Sequence, residues 1–472
     1  MGNSKEFLGL DIANLAIQYK NKQVSPVEIT KMLLSRIDKL NPTLNAYITI
    51  LAEQALEDAK KAEKELSKGE WRGYLHGVPI GLKDLIETAG VRTTMGSQIF
   101  SDYIPNQSAT VVNLLKQNGA IIVGKLNTHE FAYGPSGDVS YFGAVRNPYD
   151  TNKMTGGSSS GSGAAVSTGM CYGALGTDTG GSIRIPSSSC GIIGMKPSFG
   201  RVSKFGVFPL GYTLDHVGPM TRTIRDNAIM LSILAGYDGL DPYSVKEDPE
   251  DFTRYLEKGV KGAVIAIPTS FYYDNIEEEV RLAIDQAKQI YQDLGATIIE
   301  VDLDLQDVPW AQLMTIRSEA YAVHQEWMEK YPDLYHPEVK ERLVASKETK
   351  GYEYVKAAQI RRDAVKRFND VFKTADSLLV PTLAITPKNI GQREVEVNGQ
   401  KEHIYSALLR LNGPTNLTGF PSLSVPCGFS SDGMPIGMQL IGKHFDEANL
   451  YRIGYAFEQE VEIPSLRWNV NQ

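Results

Sequence analysis

Apolar positions Ile29, Leu33, Ile37 and Leu40 fall on one face of a helix. The segment opens on Ser25-Pro26-Val27-Glu28, which supplies a capping serine, a proline at the first helical position and a glutamate able to reach back. A second helix is predicted over roughly 51–68, with Gly69 as its stop. Residues 1–70 therefore read as a helical segment. From Leu75 the period shortens: Val78, Ile80 and Leu82 share one side of a strand, while Pro79, Gly81 and Lys83 share the other. That second side is small, so other backbone can approach Lys83 closely. A helix over 108–118 leads through Gly119 into a short buried-strand candidate at 120–123. The alternation of helix and strand continues to about residue 240 and predicts an α/β architecture.

Residues 155–200 are rich in glycine and serine, and the run 156–163 contains nothing else. Such a run in isolation reads as a flexible linker. Its surroundings argue for an ordered core: Ala164 to Met170 reads as a compact helix, and apolar runs return at Ile183-Arg-Ile-Pro and at Gly191 to Pro197. Residues 245–375 are more polar and helical. They hold an amphipathic helix from Glu277 to Leu294, a strand over 297–301, and charged helices near 311–330 and 352–374. Two strands then return to the sheet at 378–381 and 421–428. No repeat or linker marks a boundary, so the expectation is a single domain over 1–472 with a helical insertion at about 245–375.

Composition narrows the class. A formal charge of −8 and a pI near 5.6 argue against a broad basic surface for nucleic acid. Cys171, Cys190 and Cys427 form no CxxC pair and are odd in number, which points to reduced thiols and a cytoplasmic protein. The start lacks the apolar stretch of a secretory signal. Met1-Gly2 hints at myristoylation, but Glu6 occupies the position where serine or threonine is expected. The seven histidines show no pair at metal-ligand spacing.

The candidate chemistry lies in three segments: His76 to Asp84 with Lys83, the glycine-serine run with Ser158, and Thr177 to Arg184 with Ser182. A serine hydroxyl needs a base to become a nucleophile, and a buried lysine serves when desolvation keeps it neutral. Ser182 follows Gly180-Gly181, where backbone N–H groups can converge on an oxyanion. Ser158 would lie between Ser182 and Lys83 and relay the proton. Each residue also has an ordinary reading: Ser182 in a tight turn, Ser158 as a helix cap, Lys83 on the surface. Only the combination carries the hypothesis.

Three other signals compete. Gly157-Ser-Ser159-Ser-Gly161 matches the nucleophile elbow and would nominate Ser159, but the preceding stretch is polar and turn-like where a strand is required. Gly119 to Leu126 approaches a phosphate-binding loop, yet it lacks the hydroxyl for magnesium, and its strand lies inside the motif. Cys190 sits in an apolar setting, where a thiol is usually inert.

The segment around Lys83, the Gly-Gly-Ser-Ser block and the Thr-Asp-Thr-Gly-Gly-Ser-Ile-Arg block resemble the amidase signature family. So do Gly191 to Pro219 and Asn416-Leu-Thr-Gly-Phe-Pro-Ser-Leu-Ser-Val-Pro. The likeness runs from about 10 to 460. It implies a mixed central sheet between helical layers and a Ser–cis-Ser–Lys triad. Within that triad Ser182 resembles the nucleophile, Ser158 the bridging serine after a cis peptide, and Lys83 the base. The amides of Thr179, Gly180, Gly181 and Ser182 match the family's oxyanion hole, and Asp178 and Arg184 match its loop scaffold. Ser160-Gly161-Ser162 departs from the Gly-Gly of many members and leaves the three catalytic positions intact.

What the resemblance implies is a free-standing hydrolase of a small-molecule amide, and of esters or carbamates through the same acyl-enzyme. No metal or organic cofactor, membrane or direct nucleic-acid contact is called for, and a homodimer is compatible with it. The rival is the amidotransferase subunit that releases ammonia from glutamine for tRNA-bound Asp or Glu. That relative usually reads Glu-Phe-Ala-Met-Gly-Ser-Ser, whereas this chain reads Glu130-Phe-Ala-Tyr133-Gly-Pro-Ser-Gly-Asp138, which favours the free-standing reading. A non-enzymatic scaffold would be expected to have lost Lys83, Ser158 or Ser182. Tyr133 is expected to border the acyl site, or else to be an ordinary core aromatic. Segment 311–360 is the expected specificity element, with Arg317, Tyr321 and His324 as open candidates.

Overall fold

The computed structural model describes residues 7–248 and 250–461; the amino-terminal Met-Gly pair lies outside them. The predicted capping box forms: Ser25 Oγ accepts from Glu28 N, Glu28 returns a carboxylate to Ser25 N, and the helix runs Pro26–Leu44. The next helix is Ala52–Ser67. Between them lies a strand that the helical reading of this segment does not include.

The strands are β1 (Tyr47–Ile50), β2 (Pro79–Lys83), β3 (Ile121–Leu126), β4 (Gly173–Asp178), β5 (Ile193–Lys196), β6 (His216–Thr221), β7 (Val264–Pro268) and β8 (Thr297–Val301). They continue as β9 (Ser377–Pro381), β10 (Glu394–Val397), β11 (Gln400–His403), β12 (Ser422–Phe429) and β13 (Pro435–Ile441). Eleven of them form one sheet in the order β1-β3-β2-β4-β6-β5-β12-β13-β9-β7-β8, and β10 pairs with β11 alone. The sheet is mixed, as expected. β3, β2 and β4 run parallel, β9, β7 and β8 run parallel, and the strands between are antiparallel. β2, β3 and β4 are buried throughout, as strands covered on both faces must be.

In segment 245–375 the strand expected over 297–301 forms as β8, and β7 is a further strand that the sequence reading does not include. β7 and β8 add to the sheet edge, and the helices Val308–Lys330, Pro337–Lys347 and Gly351–Val371 follow. The middle one is hidden in the sequence because its charged residues leave only Val339, Leu343 and Ser346 buried. No helix among the described residues is long and apolar enough to cross a membrane.

Candidate active site

Parallel pairing of β2 with β4, Ile80 against Gly173 and Leu82 against Leu175, brings their carboxyl ends side by side. Lys83 is the last residue of β2 and Asp178 the last of β4. The glycine-serine run meets them there. It is no linker, because every residue from 156 to 163 is buried. The helix Ser160–Ser167 begins inside the run, and a Cβ on Gly161 would stand 2.3 Å from Ala46 O and 2.5 Å from Asn127 N. Small residues are required for that approach.

Lys83 Nζ donates to Ser158 Oγ at 2.7 Å and to Thr177 Oγ1 at 2.7 Å. Burial pushes its pKa down to about 7, although Asp178 and Asp215 favour the charged form. The peptide joining Gly157 and Ser158 is cis. Ser158 O accepts from Thr128 Oγ1 at 3.0 Å and from His129 N at 3.1 Å, contacts the sequence does not reveal. Ser159 N donates to Ser182 O at 3.2 Å, tying the two serine segments together. Ser158 Oγ and Ser182 Oγ are not hydrogen-bonded to each other.

Ser159 faces elsewhere. Its Oγ donates to Thr177 O and accepts from Thr177 N, both at 3.2 Å, so it is engaged with the backbone of β4. Lys125, the lysine of the near phosphate loop, is also internal, donating to Ile86 O and Thr93 Oγ1. Burial raises the Cys190 thiol far above its ordinary pKa, which leaves it unreactive.

The loop after β4 is organised by Asp178. Its carboxylate accepts from Gly181 N at 2.7 Å, Ile183 N at 3.1 Å, Asn416 Nδ2 at 2.8 Å, and Arg184 Nε and Nη2 at 3.0 Å each. Burial alone would raise its pKa; the Arg184 guanidinium and these donors more than offset that and hold it well below the usual range. Arg184 reaches on to Asn412 O, Thr415 Oγ1, Gln439 Oε1 and Asn416 Oδ1. Scaffold contacts are therefore present at both residues. The cradle differs from the expectation in one member: the Gly181 amide is already bonded to Asp178. The amides of Thr179, Gly180 and Ser182 donate to no acceptor among the described residues and remain for a ligand.

Ser182, Thr179 and Gly180 open onto a cavity of about 460 Å³. Tyr133 stands in its wall, with its hydroxyl 2.9 Å from Ser346 Oγ. Arg317, Tyr321 and His324 do not line it. His324 is buried against Phe131, with Nδ1 3.0 Å from Tyr335 Oη. The helix Val308–Lys330 instead presents Trp310, Gln312, Leu313 and Ile316, and Arg342 comes from the next helix. Tyr405, Ser406, Leu409 and Arg410 complete the wall; nothing in their local sequence sets them apart. A second cavity, of about 270 Å³, shares Ala132, Thr179 and Leu210 with the first but includes neither Ser158 nor Ser182. Among the described residues no cluster of His, Cys, Asp and Glu could hold a metal.

The mixed sheet thus carries a buried lysine–serine pair beside a loop of free amides. A family model described as Amidase matches residues 28–451. The chain belongs to the amidase signature family. It is 39% identical to a glutamyl-tRNA(Gln) amidotransferase subunit from Geobacter sp. (strain M21), covering 97% of this chain and 98% of that one. Among solved structures, an amidase superposes with a TM-score of 0.88 at 31% identity, over 96% of this chain and 100% of the other. A chain from a vestigial protein complex, described as revealing the origins of an s-triazine catabolic enzyme, gives 0.92 at 29% identity over 97% and 100%.

Proposed function

We propose that this chain is a free-standing amide hydrolase working through an acyl-enzyme on Ser182. Neutral Lys83 takes the proton of Ser158, Ser158 takes that of Ser182, and Ser182 Oγ attacks the carbonyl carbon. The amides of Thr179, Gly180 and Ser182 hold the oxyanion. The proton returns through Ser158 to the leaving nitrogen as the C–N bond breaks. Water, deprotonated by the same relay, then splits the ester to acid and regenerated serine. The observation that carries this reading is the 2.7 Å contact between buried Lys83 Nζ and Ser158 Oγ, beside a serine that opens onto a cavity.

A second reading is supported by the curated relatives, whose name is that of an amidotransferase subunit. On that reading the same site releases ammonia from glutamine within a larger assembly. The Tyr133 to Asp138 stretch favours the first reading: Asp138 is anchored by Arg393 Nη1 and Gly391 N, so its departure from the amidotransferase pattern is built into the fold. Fluorophosphonate labelling of the purified chain, with the modified peptide mapped by mass spectrometry, separates the two. Labelling at Ser182 in the chain alone supports the free-standing enzyme. Labelling that needs a second protein supports the amidotransferase reading.

A further inference from the structure

The cavity in front of Ser182 carries charge of one sign. Its walls hold two guanidinium groups, Arg342 and Arg410, and no carboxylate among the described residues. Arg410 donates to the carbonyls of Phe271 and Asn275. Arg342 lies over two rings, with Cζ 4.4 Å from the Tyr133 centroid and 5.0 Å from that of Tyr405. It donates one side-chain hydrogen bond, Nη1 to Tyr133 O at 2.8 Å, and no described carboxylate oxygen comes within 4.0 Å of it. Its natural partner is engaged elsewhere. Glu338, one turn earlier on the same helix, is taken by Arg393 Nη2 at 2.8 Å, Arg393 Nε at 2.9 Å and Tyr405 Oη at 2.7 Å. Arg342 is thus a half-buried, positioned guanidinium with donors to spare, a fork suited to a carboxylate.

We propose that the acyl group of the substrate carries a carboxylate, bound by Arg342, and no ammonium: the substrate is a monoamide of a dicarboxylic acid. This rests on the amide-hydrolase reading above. An ammonium in this cavity would be desolvated beside two guanidinium groups with no carboxylate to compensate it. Trp310, Leu313 and Leu409 in the wall suit a methylene spacer between the two ends.

The test uses the purified chain and three amides: glutaramate, pentanamide of the same length without charge, and glutamine with the same carboxylate plus an ammonium. Glutaramate is expected to exceed each of the others in kcat/KM by about tenfold or more, the worth of one charged hydrogen bond. In Arg342→Met the ratio of glutaramate to pentanamide is expected to fall toward one, and dividing by pentanamide removes any general damage. Protection of Ser182 from fluorophosphonate is read alongside, so the preference is measured even where turnover is slow. Pentanamide equal to glutaramate in wild type, or a ratio unmoved in R342M, overturns the carboxylate site. Glutamine equal to glutaramate overturns the exclusion of ammonium. Failure of Ser182 to label at all instead overturns the underlying hydrolase reading.

Discussion

Lys83 Nζ is 2.7 Å from Ser158 Oγ, and both side chains are sealed from solvent. With its pKa brought down to about 7 by burial, the lysine is half neutral near physiological pH, as a general base should be. The expected kcat/KM rises with pH along a limb centred near 7. Lys83→Met should lose that limb together with a factor of about 10² to 10⁴ in rate. The folded pKa lies below the unfolded value of 10.5, so in that window the unfolded chain binds more protons here. This group therefore makes stability rise with pH from about 7 to 10.5. Denaturant titrations at several pH values should show that slope in wild type and less of it in Lys83→Met. A flat rate profile across pH 6 to 8 in wild type would remove the lysine from the base role.

Ser159 and Ser182 should separate cleanly under mutation. Ser182→Ala is expected to abolish turnover and fluorophosphonate labelling. Ser159 Oγ only bridges the Thr177 backbone, so Ser159→Ala should keep most activity while losing about 1–3 kcal/mol of stability from unpaired buried groups. Steady-state kinetics with a denaturation curve decides it. Loss of labelling in Ser159→Ala with the fold intact would restore the elbow assignment.

Some features are legible in the sequence, and others are hidden for physical reasons. Helices with a one-sided apolar stripe and a capping box, such as Pro26–Leu44, announce themselves locally. Lys83, Ser158 and Ser182 stand out because glycine-rich surroundings and motif order mark them. β1 escapes notice because a four-residue strand between helices carries little periodicity. The occupation of the Gly181 amide by Asp178 is invisible, since backbone geometry is not written in residue type. Tyr133 and segment 311–360, through Gln312, Leu313, Ile316 and Arg342, do reach the cavity wall, but the rest of it draws on residues as far apart as 132 and 410, which only tertiary packing brings together.

The Asp178–Arg184 pair should be the costliest to break. Both side chains are fully buried, and the contact is 3.0 Å. Arg184→Met would leave a buried carboxylate unpaired, at a cost of about 3–5 kcal/mol. Because the folded pKa of Asp178 is depressed, its contribution is complete above the unfolded value of 3.8 and declines as pH falls below it. Asp178→Asn should therefore unfold at lower denaturant at neutral pH and show a shallower loss of stability in acid. Equal acid sensitivity in the two proteins would mean that other carboxylates govern it.

Gly181 tests whether the loop must hold its shape for catalysis. Its φ is +128°, and an added Cβ would meet Asn412 Cβ and Ile185 Cδ1 at 2.7 Å each. Gly181→Ala is expected to lose about 1–3 kcal/mol to strain. Displacing the free amides on either side should lower kcat by about 10² to 10³, the usual effect of losing an oxyanion donor. The two causes are separable. Asn412→Gly in the Gly181→Ala background removes one collision but leaves the unfavourable φ, and Ile185 can turn its terminal methyl aside. Partial recovery of kcat in the double variant would assign the damage to crowding against Asn412; no recovery would assign it to the backbone conformation, which only glycine adopts readily.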